Sequence, residues 1–207
     1  MLNRTKYFRK LCLSGSFLVG MIGLSSTANA QFIGINADVA IDYSAAPGKV
    51  SGYSVGISHP APFIPNIGYS YVSFIDKESI TKPSDNSSVS LETTTTIKTI
   101  NLFYNIPFPV VTITVGFGYG ADNLYTGVET ITTIDQVESN LETSVSEAFF
   151  HIGLPFWNTI EFHLGYHFMS FSSIDITKSD KFQGKNYPTV KKSYSGGMTT
   201  IGVQVAF

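Results

Sequence analysis

The sequence predicts an all-β chain closed into an eight-stranded antiparallel up-and-down barrel that crosses a bilayer with its strands. Three observations point there. First, the stretch Gly197 to Phe207 alternates: Thr199, Ile201, Val203, Val205 and Phe207 fall on one side, and Thr200, Gly202, Gln204 and Ala206 on the other. A period of two is a strand with different surroundings on its two faces. Second, compact proline turns alternate with longer polar links. Third, no apolar run after residue 30 is long enough for a membrane helix, which needs about 20 residues. No helix-period segment exists to cover the apolar rows. A closed ring of strands leaves no backbone edge open in hydrocarbon.

The chain starts with a leader pattern. Arg4, Lys6, Arg9 and Lys10 precede an apolar run from Leu11 to Leu24, and Ala28-Asn29-Ala30 is a small-x-small cleavage site. This predicts a secretory signal over residues 1–30 and a barrel domain over 31–207 that begins at Gln31. Cys12 leaves with the leader, so the mature chain holds no cysteine and no disulfide. Removing four cations takes Lys+Arg from 13 to 9 against 15 acidic residues, a formal charge of −6. That balance speaks against nucleic acid as a partner.

The strands follow in order: Phe32–Ile41, Val50–Ser58, Ile67–Ile75, Val89–Ile106, Val110–Tyr119 with an extension to about Thr133, Ser139–Leu154, Ile160–Ile176 and Lys191–Phe207. Three turns carry Pro-Phe, at Pro62, Pro107 and Pro155, 45 and 48 residues apart. Proline lacks the N–H a ladder needs, so these mark strand ends and suggest a repeated hairpin. The links Asp42–Lys49, Asp76–Ser88, Tyr119–Asn140 and Thr177–Lys192 are polar. Short turns at one end and long loops at the other are the asymmetry of an outer-membrane barrel. An even strand count puts both termini at the short-turn end. The fourth to eighth strands exceed the ~10 residues that cross, so they project beyond the outer leaflet.

Alternation sorts the faces. Ile33, Ile35, Val39, Tyr53, Val55, Leu102, Tyr104, Val115, Phe117, Phe150, Phe162, Leu164 and their like face lipid, with Phe63, Phe108, Phe156 and Trp157 as a girdle at the short turns. Gly34, Asn36, Asp38, Ser54, Asn101, Phe103, Thr114, Phe149, Gly202 and Gln204 face the lumen. Eight strands enclose only enough space for side chains, so the lumen is plugged or narrowly wetted.

One constellation on the sixth and seventh strands is chemically suggestive: Glu147, His151, Glu161, His163 and His167. A hairpin turning about Phe156-Trp157 sets Glu147 opposite His167, His151 opposite His163 and Gly153 opposite Glu161. Carboxylates and imidazoles together bind metals, yet a hydrogen-bonded lumen network uses them equally well. The network is the reading taken here, with no metal, cofactor or catalytic residue assigned. Removing Glu147 and His167 is then expected to perturb the barrel. His163 and His167 lie roughly 13 Å apart on a strand and make no helical zinc-protease pair. No phosphate loop or nucleophile elbow stands out, so an enzyme is not expected.

The terminal pattern Ile201, Val203, Val205, Phe207, together with the leader, resembles the signature of bacterial outer-membrane barrels of the OmpX, OmpW and OmpA-barrel kind. The resemblance implies residence in the outer membrane of a Gram-negative envelope, with lipid and the barrel-insertion machinery as partners. That machinery reads the last strand. It also implies a structural or surface-interaction role, with an unnamed partner for the loops. Two alternatives are a porin-like narrow channel for small or apolar molecules and a soluble lipocalin-like barrel holding an apolar ligand. The chain ends at Phe207, and no wall-anchoring domain is expected after it.

Overall fold

The computed structural model describes residues 33–61, 63–120, 127–132, 138–157, 159–182 and 184–207. The leader, its cleavage site, Phe32 and Pro62 lie outside the described residues. Among the described residues the strands are β1 Gly34–Tyr43, β2 Val50–Ser58, β3 Asn66–Thr81, β4 Ser88–Pro107, β5 Thr112–Gly120, β6 Gly127–Thr132, β7 Glu138–Glu142, β8 Val145–Trp157, β9 Ile160–Phe171, β10 Ile174–Asp175, β11 Lys191–Lys192 and β12 Gly196–Ala206.

Every barrel neighbour is antiparallel. The order runs β3-β2-β1-β12-β9-β8-β5-β4, and β4 returns to pair with β3. β6 continues β5 along β4, and β7 continues β8 along β6, so the ring counts eight strands. The seam joins Gly34 to Ala206 and Val39 to Ile201. It extends one residue further, where the Phe207 N–H donates to the Ile33 carbonyl at 2.8 Å.

The expected eight strands are present, with local differences; the seventh ends at Phe171 rather than Ile176. The Asp76–Ser88 link is mostly ladder: β3 and β4 pair out to Thr81 opposite Ser88. Alternation persists through its polar residues, with Asp76 and Ile80 buried between exposed Lys77 and Ser79. The last barrel strand begins at Gly196, because Lys191–Lys192 pairs with Ile174–Asp175 in a separate ribbon. Pro155 lies inside β8, beside an irregularity between Pro155 and Trp157. A bulge is where a strand tolerates proline.

The face assignments hold on every strand. Ile35, Val39, Val55, Leu102, Phe117, Ile152, Leu164 and Ile201 are exposed outward, while Asn36, Asp38, Ser54, Asn101, Phe103, Thr114, Phe149 and Gln204 are buried inside. Phe63, Phe108, Phe156 and Trp157 stand exposed at the turn end.

Towards the loop end the two faces exchange chemistry without any slip of register. On β4 the outward row reads Ile106, Tyr104, Leu102, Ile100 and then Lys98, Thr96, Thr94, Glu92. The inward row reads Asn105, Phe103, Asn101, Thr99 and then Ile97, Thr95, Thr93, Leu91, Val89. β3 switches at Tyr71 and Val72, β9 at Phe168 and Met169, and β12 at Thr199 and Met198. Below the switch the barrel is apolar outside and polar inside; above it the order is that of a water-soluble protein. The upper lumen holds a core of Tyr43, Val72, Phe74, Val89, Leu91, Ile97, Val128, Val145, Met169, Phe171 and Met198.

The segment after β9 closes this upper core. Ile176, Phe182, Val190 and Tyr194 all bury their side chains there. Phe74 meets Tyr194 edge-on at 5.0 Å between ring centres, and Phe171 does so at 5.5 Å. The Tyr43 hydroxyl donates to the Tyr194 carbonyl. Lys192 fastens the strap to β3, 2.9 Å from Asp76 Oδ2 and 2.6 Å from Glu78 Oε2. Burial opposes the Lys192 charge, but the Glu78 and Asp76 carboxylates prevail and hold its pKa above the ordinary lysine value.

Candidate functional site

The lower lumen is polar because short side chains alternate with long ones across facing strands. Gly202 stands opposite Asp38, where a Cβ would lie 2.1 Å from Asp38 Oδ1. Gly153 gives its space to Glu161, and Gly116 gives its space to Phe149. Each glycine permits one large neighbour, so a narrow tube is filled without strain.

All five residues of the sequence-derived constellation point inward and are buried. Their pairing differs from the expected one. Glu147 stands opposite Met169, His151 opposite Gly165 and Gly153 opposite His163. The hairpin is two residues longer than a turn about Phe156-Trp157 would make it, because Trp157 pairs directly with Ile160 after the bulge. A shift of two keeps every side chain on its face. Contacts the expected register drew straight across therefore become diagonal ones.

Those diagonals form a chain. Thr99 Oγ1 donates to Glu147 Oε2 at 2.7 Å, and the other Glu147 oxygen meets His167 Nδ1. His167 Nε2 lies 3.1 Å from His151 Nε2 and 3.2 Å from Thr200 Oγ1. His163 Nε2 lies 2.8 Å from Glu161 Oε1, and Thr112 Oγ1 donates to Glu161 Oε2 at 2.5 Å. A second polar group sits nearer the turns. Asn105 Nδ2 donates to Ser58 Oγ at 3.0 Å and to Gln204 Oε1 at 3.2 Å, while Thr114 Oγ1 donates to Asn105 Oδ1 at 2.8 Å.

Aromatic rings bracket the network. Phe149 stacks on His167 at 5.0 Å and lies 5.1 Å from His151. A cavity of about 10 Å³ among Asn36, Asn101, Phe103, Phe149 and His151 has room for about one water molecule. An organic ligand needs a pocket of roughly 300 Å³ or more.

Sequence reasoning placed Asp38 in the lumen but not in the constellation. Its carboxylate Oδ1 lies 3.7 Å from His163 Nδ1 and 4.0 Å from His151 Nδ1. The missing signal was register: β1 meets β9 only through β12, where Asp38 faces Gly202 and Gly202 faces His163. A glycine between two polar residues in adjacent strands is a readable sign that they touch across it.

No protein-family model matches the chain, and no curated protein does. Among solved structures it is similar to Neisserial surface protein A, at 15% identity and a TM-score of 0.49 over 84% of this chain and 97% of that one. It is similar to the N-terminal β-barrel domain of Pseudomonas aeruginosa OprF, at 12% identity and 0.44 over 84% and 96%. A third is the outer membrane protein OprG of Pseudomonas aeruginosa, at 11% identity and 0.43 over 86% and 99%. The architecture itself rests on the closed ring of strands: this is an all-β antiparallel barrel of eight strands.

Proposed function

We propose that the mature chain is an integral barrel of a bacterial outer membrane, with a structural or surface-interaction role carried by its loop end. The observation that supports this most is the outward apolar belt with a sharp upper edge. About four outward positions per strand are apolar, which at ~6.8 Å each and a tilt of about 40° gives a band roughly 20 Å tall. The first outward residues above it are polar on strand after strand: Ser51, Ser73, Lys98, Ser146, Ser170 and Thr199. Water tolerates that belt poorly, since soluble monomers rarely expose apolar patches beyond a few hundred Å².

The lumen favours a closed barrel over a channel. Polar side chains fill the lower half and the apolar core fills the upper half. A lipocalin-like reading needs an empty apolar interior; here the apolar part of the lumen is occupied by the chain's own residues. The reading is also non-catalytic, because the one constellation with chemical potential is sealed from any substrate. Export by the leader over residues 1–30, and recognition of Ile201, Val203, Val205 and Phe207 by the insertion machinery, complete the proposal. Lipid is the partner of the belt. The surface partner belongs to the strap and the projecting β3–β4 and β6–β7 hairpins.

Membrane fractionation with gel mobility before and after boiling tests this. An outer-membrane barrel stays with the outer membrane and changes apparent size on heating. A chain found in the soluble fraction, with mobility indifferent to heat, contradicts the proposal.

A further inference from the structure

The lower-lumen network leaves three of its acceptors unsatisfied at a single point. Asp38 Oδ1, His151 Nδ1 and His163 Nδ1 have no hydrogen-bond partner among the described residues. The three atoms lie within 4.8 Å of one another. Their side chains are at most 2% exposed, so bulk solvent does not satisfy them. Buried polar groups without partners are rare enough that each calls for a reason.

The hydrogen-bond chain assigns the protons. Glu161 accepts from His163 Nε2, so a neutral His163 ring carries its lone pair on Nδ1. Glu147 accepts from His167 Nδ1, so His167 Nε2 is an acceptor. It takes the proton of His151 Nε2 at 3.1 Å, which leaves the His151 lone pair on Nδ1 as well. Asp38 Oδ2 accepts from Ser54 Oγ at 3.3 Å. With both rings neutral, two imidazole lone pairs and a carboxylate oxygen converge with no proton between them. A water molecule has two protons for three acceptors. A divalent cation satisfies all three.

We propose that Asp38, His151 and His163 bind a divalent transition-metal ion of the zinc class, with a fourth position open to water. Two imidazoles and a carboxylate suit such an ion, and three protein ligands plus one exchangeable position is a common zinc arrangement. Bonds of about 2.0–2.1 Å set tetrahedral ligands roughly 3.4 Å apart. The 3.7 and 4.0 Å contacts to Asp38 close to that with movements of a few tenths of an ångström, and the two imidazoles, within 4.8 Å of each other, draw together by about 1 Å on binding. The outer shell is already built. Glu161 holds His163 from behind, and Glu147 holds His151 through His167, as carboxylates orient metal-bound imidazoles elsewhere. The ion ties β1 to β8 and β9 across the lumen. Because the site is enclosed, the ion enters as the barrel folds. The site depends on the closed barrel alone and stands whatever surrounds the outer face.

Metal analysis of the untagged chain, refolded with Zn²⁺ and then passed through a chelating wash, is the test. About one tightly held ion per folded chain is expected. Asp38→Asn and His163→Gln should each lower retained zinc at least tenfold, and Glu161→Gln should weaken affinity about 10–100-fold. His59→Gln, at the β2–β3 turn, should change nothing. If the ligand variants fail to fold, wild-type chain refolded with Co²⁺ decides the matter. An intense four-coordinate visible spectrum supports the site, and a weak six-coordinate one overturns it. Folded wild type with far less than one ion, or zinc retained unchanged in Asp38→Asn, also overturns it.

Discussion

The lower and upper halves of this barrel solve opposite problems with the same strands. Below the switch, Leu102 and Leu164 look outward while Asn101 and His163 look inward. Above it, Thr94 and Glu92 look outward while Leu91 and Val89 are fully buried. The backbone does not distinguish the two, since β4 runs through both halves in one unbroken ladder with β3. In the proposed outer-membrane setting, the surrounding medium does. Where lipid covers the outside, burying apolar side chains in the lumen gains little, and a polar network fills it instead. Where water covers the outside, the hydrophobic effect again drives apolar groups inward. A single strand thus records where one medium gives way to the other.

The two halves should break differently. The largest effect is expected from the upper half, where Phe74 is buried against Tyr43 and Tyr194. Phe74→Ala should cost about 3–5 kcal/mol of core stability and free the strap, seen as faster proteolysis within 172–195 while the lower barrel keeps its heat-dependent mobility. In the lower half, Glu147→Ala strands Thr99 Oγ1 and His167 Nδ1, at about 1–3 kcal/mol for each lost acceptor. It should lower the urea midpoint of the whole barrel, with no selective opening of the strap. Equal protease sensitivity in the two variants would erase the distinction.

Smaller effects sharpen it. Lys192→Met removes the ion pairs to Asp76 and Glu78 at a partly buried site on the barrel's upper wall. About 1 kcal/mol or less is expected, read as a modest rise in strap cleavage. Alkali should act on the same place. Burial raises the Tyr194 hydroxyl above its ordinary value, and the carboxylates raise Lys192. Both groups hold their protons more tightly folded than unfolded. Their contribution is therefore complete below their ordinary values near 10 and is lost as pH rises through the raised ones. Cleavage within the strap should climb above pH ~10 and fall back on neutralisation. A strap indifferent to alkali would mean these contacts do not hold it.

Much of this was legible in the chain. Alternation at Ile201, Val203 and Val205, and at Phe162, Leu164 and Tyr166, gave the strands and their faces, because period two is local. The inward turn of Glu147, His151, Glu161, His163 and His167 followed from the same rule. The pairing did not, because the turn falls later, with Trp157 opposite Ile160, and a one-residue bulge at Phe156 then leaves each partner two residues from the expected one. Asp38 escaped the constellation because its neighbours come from β9 and β8, more than a hundred residues away. The exchange of faces was present in the β4 sequence, where Lys98 and Ile97 reverse the pattern of Leu102 and Asn101. A polar stretch such as Asp76–Ser88 reads as a loop until its own alternation is followed. The strap gave no local signal, since Ile176, Phe182 and Val190 lie at no regular spacing.

One strand carries the decisive measurement. With Trp157, the sole tryptophan, changed to Phe, single probes are placed at Leu102→Trp and Thr94→Trp, both outward on β4 and on opposite sides of the switch. Reconstituted in vesicles whose acyl chains carry bromine, Leu102→Trp should be strongly quenched and Thr94→Trp should stay bright. Equal fluorescence from the two, whether both quenched or both bright, would contradict a lipid boundary at Lys98.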